Sequence, residues 1–190
     1  MLRILRQIAK TGIVTEPPPA PAEAEATVAR LQDEVLRTLG RALAIRQVDA
    51  GSCNGCELEI HALGNPYYNI EGLGIRFVAS PRHADLLLVT GPVSKHMAIA
   101  LKRTYDATPE PKLVVAVGDC GCTGGIFGES YATVGRVSNV IPVDVEVPGC
   151  PPTPDALLRG ILAALSARRG PASGPASGAA APATLPLDLG

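Results

Sequence analysis

Between about residues 41 and 169, apolar residues gather into short runs, and two periodicities alternate along the stretch. The runs Ala44–Val48, Ile75–Ala79, Asp85–Thr90, Leu113–Val117 and Val143–Val147 read as strands. Two of them (Leu86–Val89 and Leu113–Val117) are unbroken apolar runs, whereas Val143–Val147 alternates valines with Asp144 and Glu146. Near-continuous apolar strands are what a parallel sheet covered on both faces requires. Between and after them the spacing becomes helical. Val93, Met97, Leu101 and Tyr105 line one face of Val93–Tyr105. Leu157, Leu158, Ile161, Leu162 and Leu165 do the same in Pro154–Arg169. That last segment has Thr153 as N-cap, Pro154 at the first helical position, Asp155 in the first turn, and Arg168, Arg169 and Gly170 as its stop. Strand–helix alternation implies right-handed crossovers and an α/β fold, a flavodoxin-like open parallel sheet with helices on both faces. Ligands of such sheets sit outside the carboxyl ends of the strands.

The flanks follow other patterns. In the first ten residues Leu2, Leu5 and Ile8 share one helical face, and Arg3, Arg6 and Lys10 lie away from it. The two readings are a frayed tail and an amphipathic helix that docks on a partner or lies on a membrane surface, of which the helix is expected. Four prolines between Pro17 and Pro21 predict an extended linker. Val28, Leu31, Val35 and Leu39 predict a further amphipathic helix ending near Gly40. Residues 170–190 are mostly Ala, Gly, Pro and Ser and are expected to be a flexible tail. The organisation expected is thus an N-terminal helix and linker over 1–21, an α/β domain over 22–169 and a tail over 170–190.

Composition narrows the functional classes. Lys and Arg number 17 against 18 Asp and Glu, so the basic excess of a nucleic-acid binder is missing. Aromatics at 3%, with no Trp, leave no base-stacking platform. The core is therefore built from Ala, Val, Ile and Leu. No apolar run approaches the ~18 residues of a membrane span. No uninterrupted run of ~7 apolar residues follows the N-terminal charges, so the expected compartment is the cytoplasm, where thiols stay reduced.

The five cysteines carry the chemistry. Their number is odd and too small for a disulfide scaffold. Gly51-Ser-Cys53-Asn-Gly-Cys56 follows the first predicted strand, Gly118-Asp-Cys120-Gly-Cys122 the fourth and Pro148-Gly-Cys150-Pro-Pro the fifth. All five thus fall in Gly- or Pro-rich loops past the carboxyl ends of strands, and the loops converge on one edge. A shared site with four thiolates means zinc or an iron–sulfur cluster. Structural zinc usually takes two compact pairs of ligands. Here one Cys-x-x-Cys pair is followed by single loops far along the chain, which favours a [4Fe-4S] cluster over zinc or a set of redox thiols. Cys53, Cys56 and Cys150 belong to the set. Spacing alone leaves Cys120 and Cys122 as alternatives, with Cys120 favoured. Cys56 is expected at the start of a helix over Glu57–Leu63, whose positive end favours thiolate.

At these residues the chain resembles the small subunit of membrane-bound, energy-converting [NiFe] hydrogenases of the formate hydrogenlyase type. Those are homologous to the 20 kDa subunit of respiratory complex I. The resemblance covers about Val48 to Ala167. It rests on Gly51-Ser-Cys-Asn-Gly-Cys-Glu-Leu-Glu-Ile60, Ser80-Pro-Arg-His-Ala-Asp85, the stretch from Gly91 through Pro111, and Ile141 through Pro154. It implies one [4Fe-4S] cluster on Cys53, Cys56, Cys120 and Cys150, next to the active site of a large subunit, with Cys122 a non-ligand. The first pair is Cys53-Asn-Gly-Cys56, the hydrogenase spacing, whereas complex I subunits have adjacent cysteines there. The implied partners are the large subunit with its Ni–Fe or quinone site, a ferredoxin-like multi-cluster subunit and membrane subunits. The implied place is the cytoplasmic side of the membrane, peripherally bound. By the same resemblance Glu57 is a candidate proton relay. A quinone-reducing complex I-type subunit, and a zinc-stabilised binding module without redox role, are the rival readings.

The other charged residues read more plainly. Glu59 is expected at an interface or packing contact. Arg82 and His83 either offset cluster charge or lie in an exposed turn. Histidine ligation by His61 or His96 is not expected beside four cysteines. Asp119 is expected to cap its loop. Gly121 to Gly128 lacks the Lys-Ser/Thr of a phosphate loop.

Overall fold

The structure, a computed structural model, describes residues 2–12, 30, 33, 37 and 41–167. The helix α1 (Leu2–Thr11) is present, with Leu2, Leu5, Arg3, Arg6 and Lys10 all exposed. Of the expected helix over 28–39, Arg30, Asp33 and Arg37 are helical and exposed, and Arg37 pairs with Asp33 at 2.7 Å. The rest of that helix, the proline linker and the tail over 170–190 lie outside the described residues.

Among the described residues five strands form one parallel sheet, β1 (Leu43–Asp49), β2 (Ile75–Phe77), β3 (Leu86–Thr90), β4 (Leu113–Val117) and β5 (Val145–Val147), in the order β2-β1-β3-β4-β5. This is the flavodoxin-like order, with its switch point between β1 and β3. β3 and β4 are buried at every position, as their unbroken apolar runs require. Alternate residues feed two cores. Leu86, Leu88, Leu113, Val115 and Val117 pack with Ile60 and Leu63 on one side and with Leu157, Ile161 and Leu165. Leu87, Val89, Val114 and Ala116 pack with Leu101, Cys122 and Val137 on the other. The helices are α2 (Gly55–Ala62), α3 (Lys95–Ala107), α4 (Gly118–Thr123) and α5 (Pro154–Ala167). α2 and α5 serve the first core and α3 the second, so both faces are covered.

Element limits differ from expectation where side chains take over backbone partners. β5 starts two residues late. Asp144, expected within it, accepts from Val114 N through its carboxylate at 2.7 Å. Asp85 falls outside β3. Its carboxylate accepts from Ala44 N at 3.0 Å and pairs with Arg41. α3 begins at Lys95 rather than Val93. Val93 stands at φ 46, a left-handed conformation that a β-branched residue rarely takes. Ser94 is the N-cap, accepting from Met97 N at 3.3 Å. At α5 the predicted cap is in place, with Thr153 Oγ1 accepting from Ala156 N at 3.3 Å.

Candidate metal centre

All five cysteines lie past the carboxyl ends of β1, β4 and β5. Two segments differ from the expected loops. Cys56 lies inside the first turn of α2, which begins at Gly55, and residues 118–123 form the short helix α4. Gly-Asp-Cys-Gly-Cys-Thr offers no apolar period, so the pattern gave no sign of a helix there.

The β1 loop is built by its own polar residues. Asp49 Oδ1 accepts from Gly51 N and Ser52 N, both at 2.8 Å. Asn54 takes φ 71, and its N–H donates to Ser52 Oγ at 3.1 Å. Ser52 Oγ in turn donates to Glu57 Oε2 at 2.6 Å. Glu57 is 5% exposed, and its other oxygen accepts from the hydroxyl of Thr90, which is fully buried at the end of β3. Glu57 thus links the loop of Cys53, the helix of Cys56 and the neighbouring strand. Both its oxygens are hydrogen-bonded, as a buried carboxylate requires.

The second and third loops are joined to each other. Asp119 N donates to Gly149 O at 2.9 Å, and Asp119 Oδ1 accepts from Gly149 N at 2.8 Å. The expected capping role of Asp119 is therefore real, but it caps a different loop from its own. Gly118 closes the arrangement. It has φ +81, and a Cβ there would stand 2.6 Å from Cys56 Sγ. Only glycine lets the β4 loop pass so close to that thiol.

Electrostatics groups the thiols in the same way. Burial pushes the Cys56 thiol up to about 12, and the charges of Glu57, Cys53, Cys120 and Cys150 add to it in that order. Cys120 is also raised, by burial first and then by Cys150, Cys53 and Asp119. Cys53, Cys56, Cys120 and Cys150 thus share one neighbourhood. Cys122 is not among the groups acting on Cys56 or Cys120. It is buried in the core on the α3 side and its Sγ donates to Ala116 O at 3.6 Å. Burial, then Glu146, pushes its thiol up to about 11. Among the described residues no three His, Cys, Asp or Glu converge closely enough to hold a single ion. A cluster that gives each thiolate its own iron does not ask for that convergence. The donor set, four thiols with a glycine cradle against one of them, fits such a cluster.

The other candidates fall elsewhere. Arg82 and His83 are exposed in a 3-10 turn leading into the amino end of β3, on the opposite edge from the cysteines. His61 and His96 are exposed on α2 and α3, and Glu59 is half-buried on α2. A cavity of about 720 Å3 between β1, β2 and α3 is lined by Arg46, His61, Phe77, Met97 and Thr104 among others, and no cysteine lines it. The apolar side chains that sequence reasoning passed over are Ile126, Phe127 and Tyr131. Ile126 is 94% and Tyr131 93% exposed. Ile126 and Phe127 directly follow Gly125, where a Cβ would stand 2.9 Å from Cys120 Sγ, so this pair borders the cysteine edge. Their signal was two large apolar residues in a glycine-rich segment with no helical or strand period.

Comparison with known proteins agrees with this architecture. The family model described as NADH ubiquinone oxidoreductase, 20 Kd subunit, matches residues 53–164. A probable membrane-bound hydrogenase subunit of Pyrococcus furiosus is 47% identical over 132 residues, 70% of this chain and 79% of the relative. Formate hydrogenlyase subunit 7 of Escherichia coli is 42% identical over 147 residues, 77% of this chain and 58% of the relative. An NADH-quinone oxidoreductase subunit of Desulfovibrio desulfuricans is 48% identical over 124 residues, 65% of this chain and 66% of the relative. Among solved structures, a chain of the membrane-bound sulfane sulfur reductase, an archaeal respiratory membrane complex, superimposes with a TM-score of 0.61 at 33% identity, covering 75% of this chain and 78% of that one. These relatives are subunits of oxidoreductase complexes, and among the described residues of this chain no helix is long and apolar enough to cross a membrane. The chain belongs to the family of the 20 kDa subunit of NADH ubiquinone oxidoreductase, together with hydrogenase subunits of membrane-bound complexes.

Proposed function

We propose that this chain is the electron-transfer subunit of a membrane-associated [NiFe] hydrogenase. In this reading Cys53, Cys56, Cys120 and Cys150 hold one [4Fe-4S] cluster beside the active site of a large subunit. When bound, such a cluster supplies one-electron transfer. The observation that carries the reading is the shared neighbourhood of these four thiols at the carboxyl edge, joined with the Cys53-Asn-Gly-Cys56 spacing. Its partners are the large subunit, a ferredoxin-like multi-cluster subunit and membrane subunits. The complex sits on the cytoplasmic face of the membrane, and α1 contributes basic and apolar residues to its attachment.

The protein's own contribution is to hold four thiols and exclude water. Resistance to ionisation at Cys56 and Cys120 means that iron binding there must displace protons. Glu57 is the proton-carrying group of the proposal. Ser52, half-buried, connects it towards the surface and Thr90 connects it inward. Ile126, Phe127 and Tyr131 form the apolar contact for the large subunit.

Metal analysis of the assembled complex tests the reading. Iron in this subunit with nickel in the complex supports it. Iron without nickel moves the assignment to a quinone or sulfur acceptor, and zinc in place of iron ends it.

A further inference from the structure

The four cysteines are spaced by two different devices. Cys53 and Cys56 are three residues apart in one loop and helix start, so local structure sets their separation. Cys120 and Cys150 come from different strands, and regular pairing of β4 with β5 ends at Val117 and Val147. Past that point the Asp119–Gly149 clasp takes over, and each of its members immediately precedes one of these two cysteines. Gly149 cannot be replaced by a larger residue without strain. It stands at φ +134, and a Cβ there would be 2.7 Å from Pro152 Cα.

We propose that Asp119 is a positioning residue whose two-bond clasp on Gly149 sets the separation of the Cys120 and Cys150 thiols, and with it the shape and retention of the iron–sulfur site. This rests on the ligand set proposed above. One of the two bonds is backbone to backbone and survives substitution, so replacing the side chain loosens the clasp without removing it. Asn keeps an acceptor oxygen at the place of Oδ1 and removes only the charge. Ala removes both.

The test uses the assembled complex, purified anaerobically with Asp119→Ala or Asp119→Asn in this subunit. The readouts are the EPR spectrum of the reduced cluster and the rate of iron loss to a chelator. For Ala, a changed line shape and iron loss faster by about ten- to hundredfold are expected, as for other residues that orient metal ligands. For Asn, the wild-type line shape and rate are expected. Wild-type behaviour of the Ala variant in both readouts would overturn the proposal, and so would an Asn variant as impaired as Ala, which would make the charge the active feature. If Ala prevents assembly, the Asn variant alone decides: a changed spectrum in it refutes the clasp, and a wild-type spectrum supports it. Absence of any iron–sulfur signal in the wild-type complex would instead refute the ligand set on which the proposal stands.

Discussion

Individual residues divide into those that hold, those that space and those that only pack. Cys120 and Cys122 lie two positions apart on α4, yet Cys122 is buried in the core on the α3 side and Cys120 is half-buried among the other thiols. Cys120→Ala is expected to abolish iron in this subunit, whereas Cys122→Ala is expected to keep full iron and to cost about 1 kcal/mol of packing. Equal iron loss in the two variants would contradict the division. Alkylation of the metal-free chain gives a second check. Buried, and with its thiol pushed up to about 11, Cys122 should stay unlabelled at pH 8 while exposed Cys53 and Cys150 react. Gly118→Ala places a methyl against Cys56 Sγ in a left-handed backbone, so lower iron occupancy and a stability loss of about 1–2 kcal/mol are expected from iron assay and thermal unfolding. For Glu57→Gln, the proposed relay predicts turnover lower by about a hundredfold with iron unchanged. Unchanged turnover would leave Glu57 as a structural link between Ser52 and Thr90. At this scale the sequence showed the three cysteine loops past the strand ends, while spacing alone left Cys120 and Cys122 as alternatives. The partners of Glu57 and Asp119 were not legible, because Thr90 and Gly149 come from distant segments that only folding brings near.

At the scale of elements, the central strands β3 and β4 and the helices α3 and α5 were legible because their apolar runs and periods are unbroken. Limits shifted where a side chain substituted for a backbone partner, as at Asp85 and Asp144, or where a cap replaced the first turn, as at Ser94. The short helix α4 was missed because glycines and cysteines carry no period. Packing between elements was also hidden. Gly160 on α5 lies so close to β5 that a Cβ would stand 2.2 Å from Val147 Cγ2. Gly160→Ala should therefore push α5 off β5 and cost about 1–3 kcal/mol, measured by thermal unfolding of the complex. Cys150 follows β5 by three residues, so a loss of iron should accompany it.

For the whole molecule, one edge gathers the thiols and an exposed apolar patch, while the opposite edge carries the exposed Arg82 and His83. Ile126→Glu is expected to stop co-purification of the chain with the large subunit proposed above while leaving the sheet folded. Retained assembly would remove the patch from the interface. The central claim is an iron–sulfur site beside a Ni–Fe centre, and the most direct measurement is iron, zinc and nickel content with EPR of the reduced, anaerobically purified complex. The account predicts about four irons assignable to this subunit, a cluster signal and stoichiometric nickel. Zinc without iron in this subunit would contradict it.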